Sequence, residues 1–479
     1  EKKLTRMLNQ AKLKSFRREP TYQFGHKVPR STPEAIRFDE ENKNTFWQDA
    51  MALEMAQLHQ EFKTFTDLGK DAKPPPDHLK IRVHFVFAVK HDGRHKARLV
   101  ADGHLTDTPL DSVYSGVVSL RSLRIVIFLA ELNDLELYGV DVSNAYLEAE
   151  TREKVYIVGG LGFGELQGHT LLIHKALYGH KSSGKRWHEK LFDILRAMNF
   201  TPSKADSDVW YRRVNDAYEY IAVYVDDLAI ASKQPGKIID ELTTQFALKL
   251  KGVGPLTYHL GCDFVRDTDG TLSYGPKKYI EKILANYKRL FGEAPCMAAS
   301  PLVQNDHPEI DDSILLNEAG ITQYQSLIGE LQWCIALGRF DIMTAIMTMG
   351  RFRVCPRQGH LDRLKRVYGF LRKFKHGAIR VRTGLPDYSE IPHVTYDWMY
   401  SVYGQVNECL PTDAPAPLGK GIIVTTFVDA NLYHDLLNGR AVTGVLHMLN
   451  GTPIDWYSKR QATVETATYG SEFVAARIA

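Results

Sequence analysis

The stretch YEYIAVYVDDLAIAS, residues 218–232, sets two adjacent carboxylates, Asp226 and Asp227, between apolar runs of the kind that fill a protein core. Adjacent side chains of a strand point to opposite faces, so these acids converge only if the chain reverses between Ile221-Ala-Val-Tyr-Val and Leu228-Ala-Ile-Ala. The pattern predicts a hairpin with acids at its tip. Taken alone, it reads equally well as an ordinary Asp-Asp turn solvated at the surface. A third acid shifts the balance. Asp141, in LYGVDVSNAYLEAE, ends another short apolar strand and would meet the hairpin tip if the strands share a sheet. Three crowded carboxylates repel, and burial raises their pKa values unless cations neutralise them. Mg²⁺ does this with oxygen ligands at ~2.0–2.1 Å while keeping positions for phosphate oxygens. Two such ions ~3.5–4 Å apart clamp attacking and leaving oxygens in phosphoryl transfer. The turn is therefore expected to present metal ligands on a rigid hairpin.

Around this hairpin lie 479 residues, 54.3 kDa, too many for one core and enough for roughly two to four domains. No apolar run reaches the ~20 residues that span a bilayer. The N-terminus, EKKLTRMLNQAKLKSFRREP, is basic without the apolar centre of a signal peptide, so a cytosolic or nuclear chain with no membrane partner is expected. Cys262, Cys296, Cys334, Cys355 and Cys409 form no C-x-x-C pair, which argues against a disulfide framework or zinc ribbon. The net charge of +3 hides three basic stretches: nine Lys/Arg against two acids in 1–30, six against one in 80–98, and eleven against one in 351–382. Such stretches read as solvated faces or as a track for a polyanion. Residues 129–154 are acidic instead, and a basic chain with a local acidic pocket suggests metal held against phosphate.

Residues 1–43 lack clear periodicity and read as an extension. From Asn44, the spacing of Trp47, Met51, Met55, Leu58 and Phe62 predicts a helix with one buried face. KPPPDH breaks it, and IRVHFVFAV opens a strand-rich region. A buried helix (SLRSLRIVIFLAELNDLEL), the Asp141 strand, a Gly-rich loop, another strand and helix, and the paired strands around 218–232 follow. Residues 258–275 read as strands, 276–291 as a helix, 321–376 as two or three amphipathic helices, 383–420 as a linker, and 421–479 as a new α/β segment. Strands and helices mixed without a strict β-α-β rhythm predict an α+β fold.

YVDD between apolar strands, with DVSNAY, KARLVADG, LYGHKSSGKRW, LGCDF and YQSLIGELQW in that family's order, resembles the reverse transcriptase region of copia-type LTR retrotransposon polyproteins. The resemblance covers roughly residues 44–382 and continues past the linker. It implies a right-hand polymerase, with a basic N-terminal extension at 1–43, fingers and palm at 44–275, a thumb and connection-like helical region at 276–382, a linker at 383–420 and a partial RNase H-like domain at 421–479. Carried over by motif, Asp141, Asp226 and Asp227 become a catalytic triad holding two Mg²⁺, with Mn²⁺ as the substitute. Tyr146 matches an aromatic steric gate against a ribose 2′-OH; its ordinary structural reading is a core tyrosine. Lys90 and Arg98 match positions that grip the incoming triphosphate, or are solvated strand cations. Leu260, Gly261 and Asp263 match the stretch that positions the primer terminus. The implied partners are dNTPs, an RNA or DNA template-primer duplex tracked by 351–382, and self or capsid proteins in a cytoplasmic virus-like particle.

Two departures qualify this. The family's Gln falls at Ser182, too short for the same contact with a nucleotide. Asp429 and Glu472 resemble the first two RNase H carboxylates, but the later ones are missing before Ala479, so little or no ribonuclease activity is expected of this partial domain. A second reading is a catalytically silent nucleic-acid-binding remnant. A third, a P-loop NTPase, rests on Gly179-HKSS-Gly184-Lys185 between a strand and a helix; Arg186 stands where that loop needs Ser or Thr.

Overall fold

The computed structural model describes residues 21–23, 25–90, 93–103, 112–392 and 411–479. Strands and helices mix in an α+β architecture, as the sequence predicts. The chain divides into two compact units, one of residues 1–117, 142–199 and 246–249, the other of residues 118–141, 200–245 and 250–479.

The first unit is organised by the helix Phe46–Ala56. Trp47, Met51 and Met55 on its inner face, with Leu58 and Phe62 beyond it, are buried as their spacing requires. They pack with Phe85, Phe87, Ala97 and Leu99 of the antiparallel pair Val83–Val89 and His95–Ala101. The Leu99 backbone N–H donates to the buried Glu54 carboxylate at 3.0 Å, so a hydrogen bond fixes the helix on the strand that apolar area alone would let slide. Burial also raises the Glu54 pKa. A sheet ordered Phe65–Lys70, His169–Lys175, Glu150–Val158, Leu79–Lys80, and the helix Ser183–Ala197, complete the unit.

The segment 1–43, read from the sequence as an extension with no fold assigned, holds a helix at Thr32–Asn42. Ser31 accepts from the Glu34 N–H as its cap, Pro33 sits in its first turn, and Ala35 and Phe38 are buried. Asp39 accepts from the N–H groups of Trp47 and Gln48 at 3.1 and 2.9 Å, so this helix caps the next one. Its few buried apolar residues leave no periodic signal. Residues 1–20 of the segment, and 393–410 of the expected linker, lie outside the described residues, as does Cys409.

The second unit is built on six strands: β1 (Glu136–Val142), β2 (Thr201–Pro202), β3 (Val209–Val214), β4 (Ala217–Tyr224), β5 (Asp227–Ser232) and β6 (Leu250–Pro255), ordered β2-β3-β4-β5-β1-β6. Ile221 to Val223 and Leu228 to Ala231 are buried on both faces of the sheet, which is why they read as continuous apolar runs rather than as alternation. Ala222, Ala229 and Ala231 pack with Val126, Ile127 and Phe128 of the helix Leu120–Leu132. Helices Lys277–Phe291, Glu318–Ala336, Met343–Met349 and Gln358–Lys373 enclose a core around Tyr324, Leu327, Leu331 and Tyr368. A three-stranded antiparallel sheet, Val424–Asn431, Val442–Leu449 and Thr452–Arg460, with the helix Thr468–Ile478, follows.

The basic stretch 351–382 is largely engaged within the chain. Arg363 pairs with Asp306 at 2.8 Å and with Asp311 at 2.5 Å, Arg380 with Asp267 and Asp269, Lys375 with Glu281, and Arg351 with the wholly buried Asp435. Arg357, Arg366 and Arg372 donate to Ser313 O, Ser300 Oγ and Pro295 O. Arg351, Arg363, Lys375 and Arg380 thus meet acids that lie outside the stretch, which a count of charge within it does not see. Among the described residues the four cysteines Cys262, Cys296, Cys334 and Cys355 are free, and no helix is long and apolar enough to cross a membrane.

Arg124 ties the unit together. Buried in the helix Leu120–Leu132, it donates to the Ile454 carbonyl at 3.1 Å and to the Ala336 carbonyl, and its guanidinium lies 4.0 Å from the Trp456 ring centroid. Arg124→Met is expected to lower stability by about 2–4 kcal/mol, because it strands two buried carbonyls. The urea midpoint reads this, and Arg124→Lys should recover less than half, since one ammonium lacks the planar fork that reaches both acceptors.

Candidate active site

β4 and β5 are joined by the two-residue turn Val225-Asp226, closed by Tyr224 opposite Asp227. Val225 has φ 58°, and Asp226 keeps a negative φ. A positive φ at the first central position alone is the type II′ pattern that suits the twist of a hairpin. A β-branched side chain there is strained. The register of β5 on β1 sets Asp227 directly opposite Asp141. Directly opposed residues share a face with Cβ atoms about 4.5–5.5 Å apart, and like charges so placed destabilise a sheet.

The electrostatics follow from that register. Burial, then the Asp226 and Asp141 carboxylates, push Asp227 up to about 6, against the opposing pull of Lys251. Lys251, exposed on β6 beside β1, brings Nζ to 3.0 Å from Asp141 Oδ1. The contact is an ion pair without hydrogen-bond alignment, and that buried oxygen has no hydrogen-bond partner. Sequence reasoning missed Lys251; its only signal is the Lys-Leu-Lys alternation of 249–251. Three hard carboxylates, one with an orphaned oxygen and one with a raised pKa, fit a hard cation such as Mg²⁺ or Mn²⁺. As the side chains stand, no three His, Cys, Asp or Glu among the described residues are gathered closely enough to hold a metal ion.

Other expected site residues lie in the first unit. Arg98, on the strand His95–Ala101, stacks its guanidinium 4.0 Å from the centroid of the Tyr178 ring. Tyr178 in turn meets Tyr146 at 5.1 Å between ring centroids. Arg98 and Tyr146 are thus brought into one aromatic-cationic stack through Tyr178, which sequence reasoning passed over. Lys90 is exposed at the turn of the strand pair, where its carbonyl accepts from the Gly93 N–H at 2.9 Å. Ser182 is buried, with Oγ 3.2 Å from His180 Nδ1.

The features of the loop 179–185 have structural reasons of their own. Gly179 has φ 82°, and a Cβ there would stand 2.3 Å from the Ala101 carbonyl oxygen, so close backbone packing accounts for this glycine without a phosphate. Lys185 faces Glu189 at 3.7 Å. These contacts set the P-loop reading aside.

Leu260 and Gly261 form a tight turn between Tyr258–His259 and Cys262–Arg266, both with positive φ, the type I′ pattern. Asp263 Oδ2 accepts from the Lys278 N–H and Oδ1 pairs with Lys278 Nζ, each at 3.0 Å, which fixes that turn to the start of the helix Lys277–Phe291. Asp429 is exposed on the strand Val424–Asn431, and Glu472 is partly exposed on the helix Thr468–Ile478 that packs on that strand.

Residues 67–299 match the family model described as reverse transcriptase (RNA-dependent DNA polymerase). Over those residues the chain is thus similar to a reverse transcriptase, and the curated relatives that span them are transposon proteins. It is 27% identical over 471 residues to the retrovirus-related Pol polyprotein from transposon TNT 1-94 of Nicotiana tabacum, covering 94% of this chain and 31% of that one. It is 28% identical over 356 residues to the Pol polyprotein from transposon RE1 of Arabidopsis thaliana, covering 71% of this chain and 23% of that one. The chain spans a third or less of the plant polyproteins it matches. Among solved structures, a foamy viral protease-reverse transcriptase in complex with double-stranded DNA aligns at 12% identity and a TM-score of 0.44, over 89% of this chain and 59% of that one.

Two consequences are measurable in metal-free buffer. The folded-state pKa of Asp227, about 6, lies above its ordinary value of 3.8, so the fold binds that proton more tightly than the unfolded chain. The stability this proton confers is full below about pH 4 and is lost as pH rises through about 6. Asp227→Asn is therefore expected to stabilise the protein at pH 7.5 by about 1 kcal/mol, allowing for screening of a half-exposed carboxylate, and to leave it unchanged near pH 4. Separately, Val225→Gly should raise the urea midpoint by about 1 kcal/mol equivalent at either pH, because glycine carries no left-handed penalty.

Proposed function

We propose that this chain is an RNA-directed DNA polymerase that adds dNTPs to a primer 3′-OH. The 3′ oxygen forms a bond to the α-phosphorus, the bond to the bridging oxygen breaks, and pyrophosphate leaves with that electron pair. One observation supports this above the others: the β5–β1 register opposes Asp141 and Asp227 next to the turn that carries Asp226. A sheet gains nothing structural from opposed acids, so the arrangement fits ligation of a divalent cation pair. Asp141 and Asp227 would offer oxygens from one face of the sheet and Asp226 from the turn, while Lys251 offsets part of their repulsion. Two Mg²⁺ bound there would supply charge neutralisation for the attacking and leaving oxygens.

In this reading residues 44–275 act as fingers and palm, 276–382 as thumb and connection, and 421–479 as a partial RNase H-like domain with Asp429 and Glu472 as its acids. Tyr146 excludes ribonucleotides, Arg98 and Lys90 hold the triphosphate, and Leu260, Gly261 and Asp263 steady the primer terminus. Template and primer form an RNA or DNA duplex, handled within a virus-like particle. A silent remnant is the second reading, favoured by Ser182, which is turned into a buried contact with His180 where the family carries a glutamine.

Primer extension on an RNA template separates the two. The polymerase reading expects extension that depends on Mg²⁺ or Mn²⁺ and falls at least about 100-fold in Asp226→Asn; duplex binding by wild type without extension would leave the remnant. Tyr146→Ala is expected to raise ribonucleotide incorporation relative to deoxynucleotide at least about tenfold, read as the ratio of kcat/KM values.

A further inference from the structure

Lys251 lies on β6, at the edge of the six-stranded sheet and next to β1, with Nζ 3.0 Å from Asp141 Oδ1. The two ends of this contact differ. Asp141 is held opposite Asp227 by the β5–β1 register, and its Oδ1 is buried without a hydrogen-bond partner. The lysine side chain is 54% exposed, and the residues that follow it, Gly252 and Val253, are exposed too. The acid is therefore fixed, while the cation can swing into water without disturbing a core. An ion pair with one arm in solvent is weak, because water screens it and a long side chain loses rotamer freedom to keep it. A divalent ion brings twice the charge and binds carboxylate oxygen at ~2.0–2.1 Å. A metal on the same oxygen would lie within about 5 Å of the ammonium, and two cations that close in a half-buried site repel. Ammonium and metal thus compete for Asp141.

We propose that Lys251 is a tethered placeholder for the divalent cation: it neutralises Asp141 while metal is absent and is displaced when metal binds. This rests on the polymerase reading, which makes Asp141 a metal ligand. Without the lysine, acids set opposite one another in a sheet would repel with no counter-charge at hand. With it, the metal-free site stays assembled, and filling it requires enough metal to displace a resident cation. Lys251 is a positioning residue in this role, since it touches a ligand of the metal and sets the metal concentration at which the site fills.

Two measurements on the full chain test this without turnover. The first is Mn²⁺ titration in the absence of primer and nucleotide, with free ion read from its electron paramagnetic resonance signal and only the binding that Asp226→Asn removes counted. Lys251→Met is expected to lower the dissociation constant about three- to tenfold, whereas Lys251→Arg, which keeps the charge and grips a carboxylate with a planar fork, should not lower it. The second is modification by an amine-acylating reagent, read by peptide mass spectrometry. Adding Mg²⁺ to wild type should speed the modification of Lys251 severalfold; in Asp141→Asn the lysine should react fast from the start and ignore Mg²⁺. A Lys251→Met affinity equal to or weaker than that of wild type overturns the inference and leaves the polymerase reading standing, as does a wild-type lysine whose reactivity Mg²⁺ does not change. If neither wild type nor Lys251→Met has a Mn²⁺ site that Asp226→Asn removes, the polymerase reading falls and the inference with it. Should Asp141→Asn not fold, the wild-type and lysine-variant arms decide by themselves, because position 251 is exposed on an edge strand.

Discussion

The alignment of β5 against β1 is the constraint on which the candidate site depends. Side chains alternate along a strand, so a slip of one residue would turn Asp227 away from Asp141 and carry the buried run Leu228 to Ala231 onto the wrong faces. Packing guards against that slip. Gly139, opposite Ala229 and two residues before Asp141, leaves room for Leu256, whose Cδ1 would stand 2.7 Å from any Cβ placed there. Apolar fit therefore holds two acids in a position that their own repulsion opposes. Sites where local preference is overruled by the surrounding core are where function is to be sought.

Much of this was legible in the amino-acid order. An acid doublet between two apolar runs has few ways to exist except as a hairpin tip, and Trp47, Met51 and Met55 recur at a spacing only a helix uses. The helix Thr32–Asn42 was also legible in principle, through Ser31 and Pro33, but caps without a periodic apolar face are easily read as linker. What could not be read locally is pairing across long stretches of chain. Counting charge within 351–382 finds eleven cations and one acid, and misses Asp267, Asp306, Asp311 and Asp435, which reach in from elsewhere to pair with Arg380, Arg363 and Arg351. Lys251 beside Asp141, and Tyr178 between Arg98 and Tyr146, were hidden for the same reason. Each lies in a motif or strand whose pattern states its face and not its neighbour.

Two left-handed non-glycine positions bear on how the hairpins work. Val225 and Leu260 both adopt φ near 50–60° at the tips of two-residue turns. Neither residue prefers that conformation, and both turns belong to motifs with proposed roles at the reaction centre. Strain concentrated at such tips, where a softer residue would serve the fold as well, is consistent with turns kept for where they put the neighbouring side chains.

The Arg124 and Asp435 contacts reach further than stability. Arg124 grips carbonyls contributed by two other regions, and Asp435 draws one arginine from the helical region and one from its own sheet. The C-terminal segment is thus keyed to the body of this unit by complementary buried groups. Exchange of that segment between related elements, by recombination or by design, would succeed only when lock and key travel as a set.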